Sequence, residues 1–209
     1  QYVMDKIIRP MGLEDTRAHF PISLHGEQMA IGYAGLSRDQ VRRPLPSFET
    51  RAITSAAGFT STVKDLARFA SWNFRTLDNQ DDSVINGNTL REMQRVSWVD
   101  PDWKISWGLG FCVSQQDGTT IVSHLGACPG YISHFVMIPK IKVAAIVLTN
   151  AADGPAANIT ASMMKILGRT MMDLKNPEPP ITGIDLEQYV GNFSNPVWGG
   201  ELAVRVDGN

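Results

Sequence analysis

Two cysteines in 209 residues, Cys112 and Cys128, are too few and too isolated for a disulfide framework or a cysteine-based zinc cluster. They could still pair with each other if the chain is exported, so they do not fix a compartment. Long apolar runs are also missing: the longest, VAAIVLT over 143–149, falls far short of the roughly 20 residues that span a bilayer. Positive charge is not in excess, with 19 Lys and Arg against 21 Asp and Glu for a net −2. No basic run stands out either, which argues against nucleic acid or an anionic membrane surface as partner. No two histidines have zinc-ligand spacing, so no metal is implied. The start, QYVMDKIIRPMGLEDT, has no initiator Met, charged n-region or apolar h-region. It opens in mid-helix, with Tyr2, Val3, Ile7 and Ile8 on one stripe, and the expectation is a piece of something longer.

What is present describes a folded chain: 43% hydrophobic and 19% charged residues suffice for one substantial core. The first helix should end near Arg9, stopped by Pro10, and residues 10–57 should wrap a surface in loops. Leu66, Phe69, Ala70, Phe74 and Leu77 recur at helical spacing over 62–77, and a shorter helix is expected over 87–96. From Trp107 the period becomes strand-like. WGLGFCVSQ, TTIVSHLG, YISHFVMIP and KVAAIVLTN read as four strands. Turns at Asp117-Gly118, Pro129-Gly130 and Lys140 would join them into an antiparallel meander. Residues 154–174 then read as a long helix covering one side of that sheet, with Ile159, Met163, Ile166, Leu167 and Met171 as its packing face. The division expected is 1–175 as one partial α+β domain, a proline-rich linker at 176–185, and the start of a small β unit at 186–209.

Ser61-Thr62-Val63-Lys64 has the Ser-x-x-Lys spacing that places a serine nucleophile beside its lysine. Thr62 with Asp65 three residues on is equally a helix N-terminal signature. The capped-helix reading is preferred, because a single tetrad has weak specificity and no second motif bearing Ser or Tyr with Asn can be assigned nearby.

SHLGACPGYISHFVMIP, residues 123–139, is the sharper signal. His124-Leu125-Gly126 closes a strand, a Pro-Gly turn follows, and an aromatic stands at Tyr131. This resembles the His-x-Gly form of the third motif of serine β-lactamase-related enzymes, the group of class C β-lactamases, D-alanyl-D-alanine carboxypeptidases and related esterases. IIRPMGLEDT, AAGFTSTVKDLARF and WGLGF resemble further segments of that family in the same order, so the likeness covers about residues 3–172.

The resemblance implies a β-lactamase/transpeptidase-like fold, an antiparallel sheet packed against helices. It places STVKDLARF on the family's capped helix, with Lys64 at a variable position. The family's own Ser-x-x-Lys and Tyr-x-Asn motifs would lie upstream, in a missing N-terminal part of the same domain. It implies catalytic roles for His124, Gly126 and Ala127: Gly126 lets substrate lie close to the strand, the Ala127 N–H is one oxyanion donor, and His124 donates to the substrate carboxylate or the serine–lysine network. Leu125, Tyr131 and Trp107 are the expected substrate-binding residues, although rim or core packing competes for both aromatics. The substrate would be a small-molecule or peptide acyl compound, an amide or ester, with no cofactor. An extracytoplasmic location accords with the family. A strand-end histidine without a catalytic role, and a non-catalytic ligand- or partner-binding fragment or pseudoenzyme, are the competing readings. Trp103 reads as packing, His19, His25 and His134 as structural or exposed, and Asp81-Asp82 as a solvated loop.

Overall fold

The computed structural model describes residues 1–48, 50–53, 56–116, 118–175, 190–195 and 200–205. Two compact units divide the chain, Gln1–Met172 and Asp173–Asn209. In the second, β7 (Gly191–Asn195) and β8 (Gly200–Val204) form an antiparallel pair. The expected linker at 176–185 lies outside the described residues.

The first unit is built on a six-stranded sheet in sequential order, β1 to β6, antiparallel throughout. Its strands are β1 (Trp98–Val99), β2 (Ser106–Trp107), β3 (Cys112–Gln116), β4 (Thr119–Cys128), β5 (Tyr131–Ile138) and β6 (Val143–Thr149). Gly118 at φ 70° and Gly130 at φ 86° supply the left-handed residues that the tight β3–β4 and β4–β5 turns require. A short 3-10 turn, Pro139–Ile141, with Lys142 left-handed, joins β5 to β6. Asp117, the other half of the first expected turn, is outside the described residues.

The expectation of one strand over WGLGFCVSQ is corrected: the segment folds back on itself, with Trp107 paired to Cys112 across a turn. Gly110 takes φ 75° there. Gly108 sits so close to the end of a helix that a Cβ would lie 2.1 Å from the Met93 carbonyl oxygen, and the Leu109 N–H donates to that same oxygen at 2.8 Å. A tertiary anchor therefore breaks what reads as an uninterrupted strand.

Two helices cover one sheet face. α1 (Val63–Leu77) begins at Thr62, whose hydroxyl accepts from the Asp65 N–H, and α2 (Gly87–Met93) is capped likewise by Asn86. Ala70, Trp72 and Leu90 share a core with Val113, Val122, Phe135 and Met137, and Phe69 lies against Phe135 with ring centroids 5.6 Å apart. The N-terminal segment is a single π-helical turn, Met4–Ile8, that buries Ile8 in the same core. With the helical residues 2 and 3 before it, this segment ends on Arg9, whose N–H still bonds the Met4 carbonyl, where the sequence placed its end.

α3 (Ala156–Lys175) follows β6, and its expected packing face is corrected. Ile159, Met163, Ile166 and Leu167 are exposed, whereas Ala156 and Thr160 are fully buried. Met163 and Leu167 stand seven residues on from Ala156 and Thr160, on the same stripe, so that stripe is buried in the first turn of the helix and exposed further along it. The Thr160 hydroxyl meets the Nδ1 of His134 on β5, and only small residues allow so close an approach of helix to sheet. Met171 is among the residues whose side chains are not described.

Cys112 and Cys128 are free thiols. Cys112 is paired with Ser123, five residues before Cys128 on β4, or about 16 Å along the strand. That separation is incompatible with the disulfide the sequence left open. Among the described residues no helix is long and apolar enough to cross a membrane.

Candidate active site

The site is a strand edge made by a mismatch in length. β3 pairs with β4 only from Thr119 to Ser123, while β5 follows β4 all the way from Val122 to Cys128. Beyond Ser123 one side of β4 has lost its neighbour, so residues 124–128 keep one line of backbone polar groups available to a ligand. His124, Leu125 and Ala127 are exposed there and Gly126 is half-buried.

Successive strand residues alternate between faces, and directly opposed residues share one. His124 opposes Phe135 and Gly126 opposes Ser133, which puts both on the face covered by α1. Leu125 opposes His134, so this expected substrate contact lies on the other face, the α3 side. The motif therefore divides: His124 and Gly126 act together, and Leu125 is separated from them.

The His124 Nδ1 lies 2.5 Å from the Leu125 carbonyl oxygen. A carbonyl only accepts, so Nδ1 carries the hydrogen and Nε2 is left as an acceptor when the ring is neutral. Trp107 reaches the same place: its indole is 6.0 Å from the His124 ring and its Nε1–H donates to Asp100 Oδ1 at 3.2 Å. Gly126 has a structural reason beside the functional one, because a Cβ would sit 2.3 Å from Ser133 Oγ. A hydroxyl at the end of a short side chain can rotate away, so that clash is relievable.

Tyr131 stands at the start of β5, across from Cys128, but its hydroxyl is occupied. It donates to the Ala30 carbonyl at 2.7 Å, its ring lies against Gly32 with no room for a side chain there, and Phe20 meets it edge-on at 6.5 Å. Burial pushes its phenol above the usual value. Tyr131 thus clamps the loop through Phe20 and Gly32 beside the β4–β5 turn, and Asn150 holds the same loop through the Ile31 carbonyl at 2.9 Å. Sequence reasoning missed this clamp; the only local sign was Gly32 followed by Tyr33 in an otherwise structureless segment.

Ser61 is drawn into a different network. Its hydroxyl is 2.8 Å from Thr16 Oγ1, and Thr16 in turn donates to Asp65 Oδ2 at 2.8 Å. Ser61 therefore donates to Thr16 and has no base to activate it, while Lys64 is exposed and takes no part. Asp65 is fully buried and also receives the Asp15 N–H at 2.8 Å and Arg68 at 3.1 Å. Burial acts to raise the Asp65 carboxyl, but those hydrogen bonds and the Arg68 charge outweigh it and hold it below the usual carboxylate range. Asp81 is engaged by Arg75 and by Ser83, and among the described residues no group of three metal-ligating side chains comes together.

A capped helix, a sequentially ordered antiparallel sheet and a glycine-bearing open strand edge define an α+β domain of the β-lactamase/transpeptidase type. Residues 1–166 match the Beta-lactamase family model, and the chain belongs to that family. Among solved structures, it is similar to the octameric penicillin-binding protein homologue from Pyrococcus abyssi, at TM-score 0.67 and 22% identity over 99% of this chain and 46% of that one. The penicillin-binding protein from Bacillus halodurans gives 0.63 and 18% over 79% and 48%. D-amino acid amidase from Ochrobactrum anthropi SV3, complexed with L-phenylalanine amide, gives 0.57 and 20% over 84% and 50%. The chain thus spans about half the length of these relatives. No curated protein matches it by sequence.

Proposed function

We propose that this chain is the C-terminal part of a serine hydrolase domain that cleaves an amide or ester through an acyl-serine intermediate, with the serine supplied by a segment outside the 209 residues. The observation that carries the reading is the one-sided edge of β4 at His124–Cys128. A serine oxygen attacking the substrate carbonyl there turns it into an oxyanion, which the Ala127 N–H meets as one donor. Gly126 leaves the approach clear, and Trp107 and His124 border it. Collapse of the tetrahedral state expels the amine or alcohol with a proton, and water then releases the acid from the serine. The relatives include a protein named as an amidase, which supports amides as substrates.

The alternative, a non-catalytic ligand-binding chain, shares with the hydrolase reading the engagement of Ser61 with Thr16 instead of with a base. One comparison separates the two. The full-length protein and the 209-residue chain are assayed on a D-amino acid amide, a chromogenic cephalosporin and a nitrophenyl ester. Turnover by the full-length protein and none by the isolated chain is the expected result. Robust turnover by the isolated chain, or labelling of Ser61 by a fluorophosphonate, would sink the proposal.

A further inference from the structure

Three of the chain's five tryptophans fall within ten residues, at 98, 103 and 107, on the β1–β2 hairpin that borders the open edge. Trp98 and Trp107 are directly opposed across it, so they share one face of the ribbon with Cβ atoms about 5 Å apart. Trp98 is 65% exposed. Trp107 is held by its hydrogen bond to Asp100, which satisfies its one polar atom and leaves the ring as carbon surface. Its indole already neighbours His124, so an aromatic platform runs from the reactive edge of β4 out to Trp98.

We infer that the Trp98–Trp107 pair is a specificity subsite that receives an aromatic side chain of the substrate. This rests on the hydrolase reading and deepens it by naming the substrate class: amides and esters of aromatic acyl groups in preference to small ones. Trp107 neighbours His124, two residues before Gly126 on the same strand edge, and two indoles offer offset or edge-on stacking to a phenyl group. Indole rings lose little conformational freedom on binding, which suits them to such a platform. A methyl side chain is too short to reach Trp98.

The test uses the full-length protein with the p-nitroanilides of D-phenylalanine and D-alanine. Trp98→Ala should lower the phenylalanine-over-alanine ratio of kcat/KM about tenfold, through KM, and Trp98→Phe should restore most of it. Trp103→Gly removes an indole that is 83% exposed at φ 60° on the same hairpin, and should leave the ratio unchanged. An unchanged ratio in Trp98→Ala, an equal loss on both substrates, or the same effect from Trp103→Gly overturns the subsite. If the wild type turns over neither anilide, the hydrolase reading is decided by the ester and cephalosporin assays. Fluorescence titration with D-phenylalanine amide and D-alanine amide then decides the subsite: tighter phenylalanine binding that Trp98→Ala abolishes upholds it, and equal affinity for both refutes it.

Discussion

β4 is two strands in one. Its first half, Thr119–Ser123, is paired with β3 throughout and with β5 as well from Val122, and Val122 there is 1% exposed in the core under α1. Its second half, 124–128, has β5 alone and turns His124 and Ala127 to solvent. The residues are covalently continuous and share one backbone geometry, yet one half is available for packing and the other for chemistry. The difference comes from where β3 stops, and β3 stops because Gly108–Phe111 folds back onto the end of α2.

The comparison predicts its own breaking points. Val122→Asp in the two-sided half should unfold the domain, since an unpaired charge in that core costs several kcal/mol; urea denaturation reads it directly. His124→Ala in the one-sided half should leave the same denaturation curve within about 0.5 kcal/mol. Equal destabilisation by both would erase the distinction. Next in size, Gly126→Val should lower turnover of the full-length protein roughly 10²-fold by crowding the edge. Gly126→Ala combined with Ser133→Ala removes the cross-strand clash, so a loss of activity that persists in the double variant belongs to the edge and not to folding.

Away from β4 the effects are smaller. Thr62→Ala should cost about 1 kcal/mol as a lost helix cap, measured by thermal melting, whereas Ser61→Ala should leave the full-length protein active. His134 titrates below its ordinary value, through burial first and the nearby His124 second. Its folded pKa is therefore lower than its unfolded one near 6.5. The folded state binds fewer protons, so the stability linked to this group is complete above about pH 6.5 and declines as pH falls below it. Thr160→Val, which removes the hydroxyl that His134 meets, should alter that acid limb of a pH–stability curve; an identical limb in the variant would remove His134 from the account.

The parts that were legible in the sequence are local. Thr62 and Asp65 announce a cap because an N–H three residues on is within reach of the hydroxyl, and the Pro-Gly turn at 129–130 announces a hairpin because its glycine accepts positive φ. His124-Leu125-Gly126 was legible as a motif, but not as a motif split between two faces. The packing face of α3 was misjudged because size and hydrophobicity alone favoured Ile159 and Met163. What the sheet accepted instead was Ala156 and Thr160, small enough for the helix to close on His134. The clamp of Tyr131 on Ala30 joins residues a hundred positions apart, and no periodicity records it.

By itself the sequence determined the helices α1 and α3, the β4–β6 meander, the cap of α1 and the family, all of which depend on residues within a few positions of one another or on a motif quoted in place. Only the tertiary structure decided which stretch of β4 is left without a neighbour, how far along α3 its inward stripe is covered, and that Ser61 donates its hydrogen bond to Thr16. Each of these is set by a contact between segments remote in the chain, Gly108 on Met93, Thr160 on His134, Thr16 on Asp65, where close approach and hydrogen-bond satisfaction outweigh local preference.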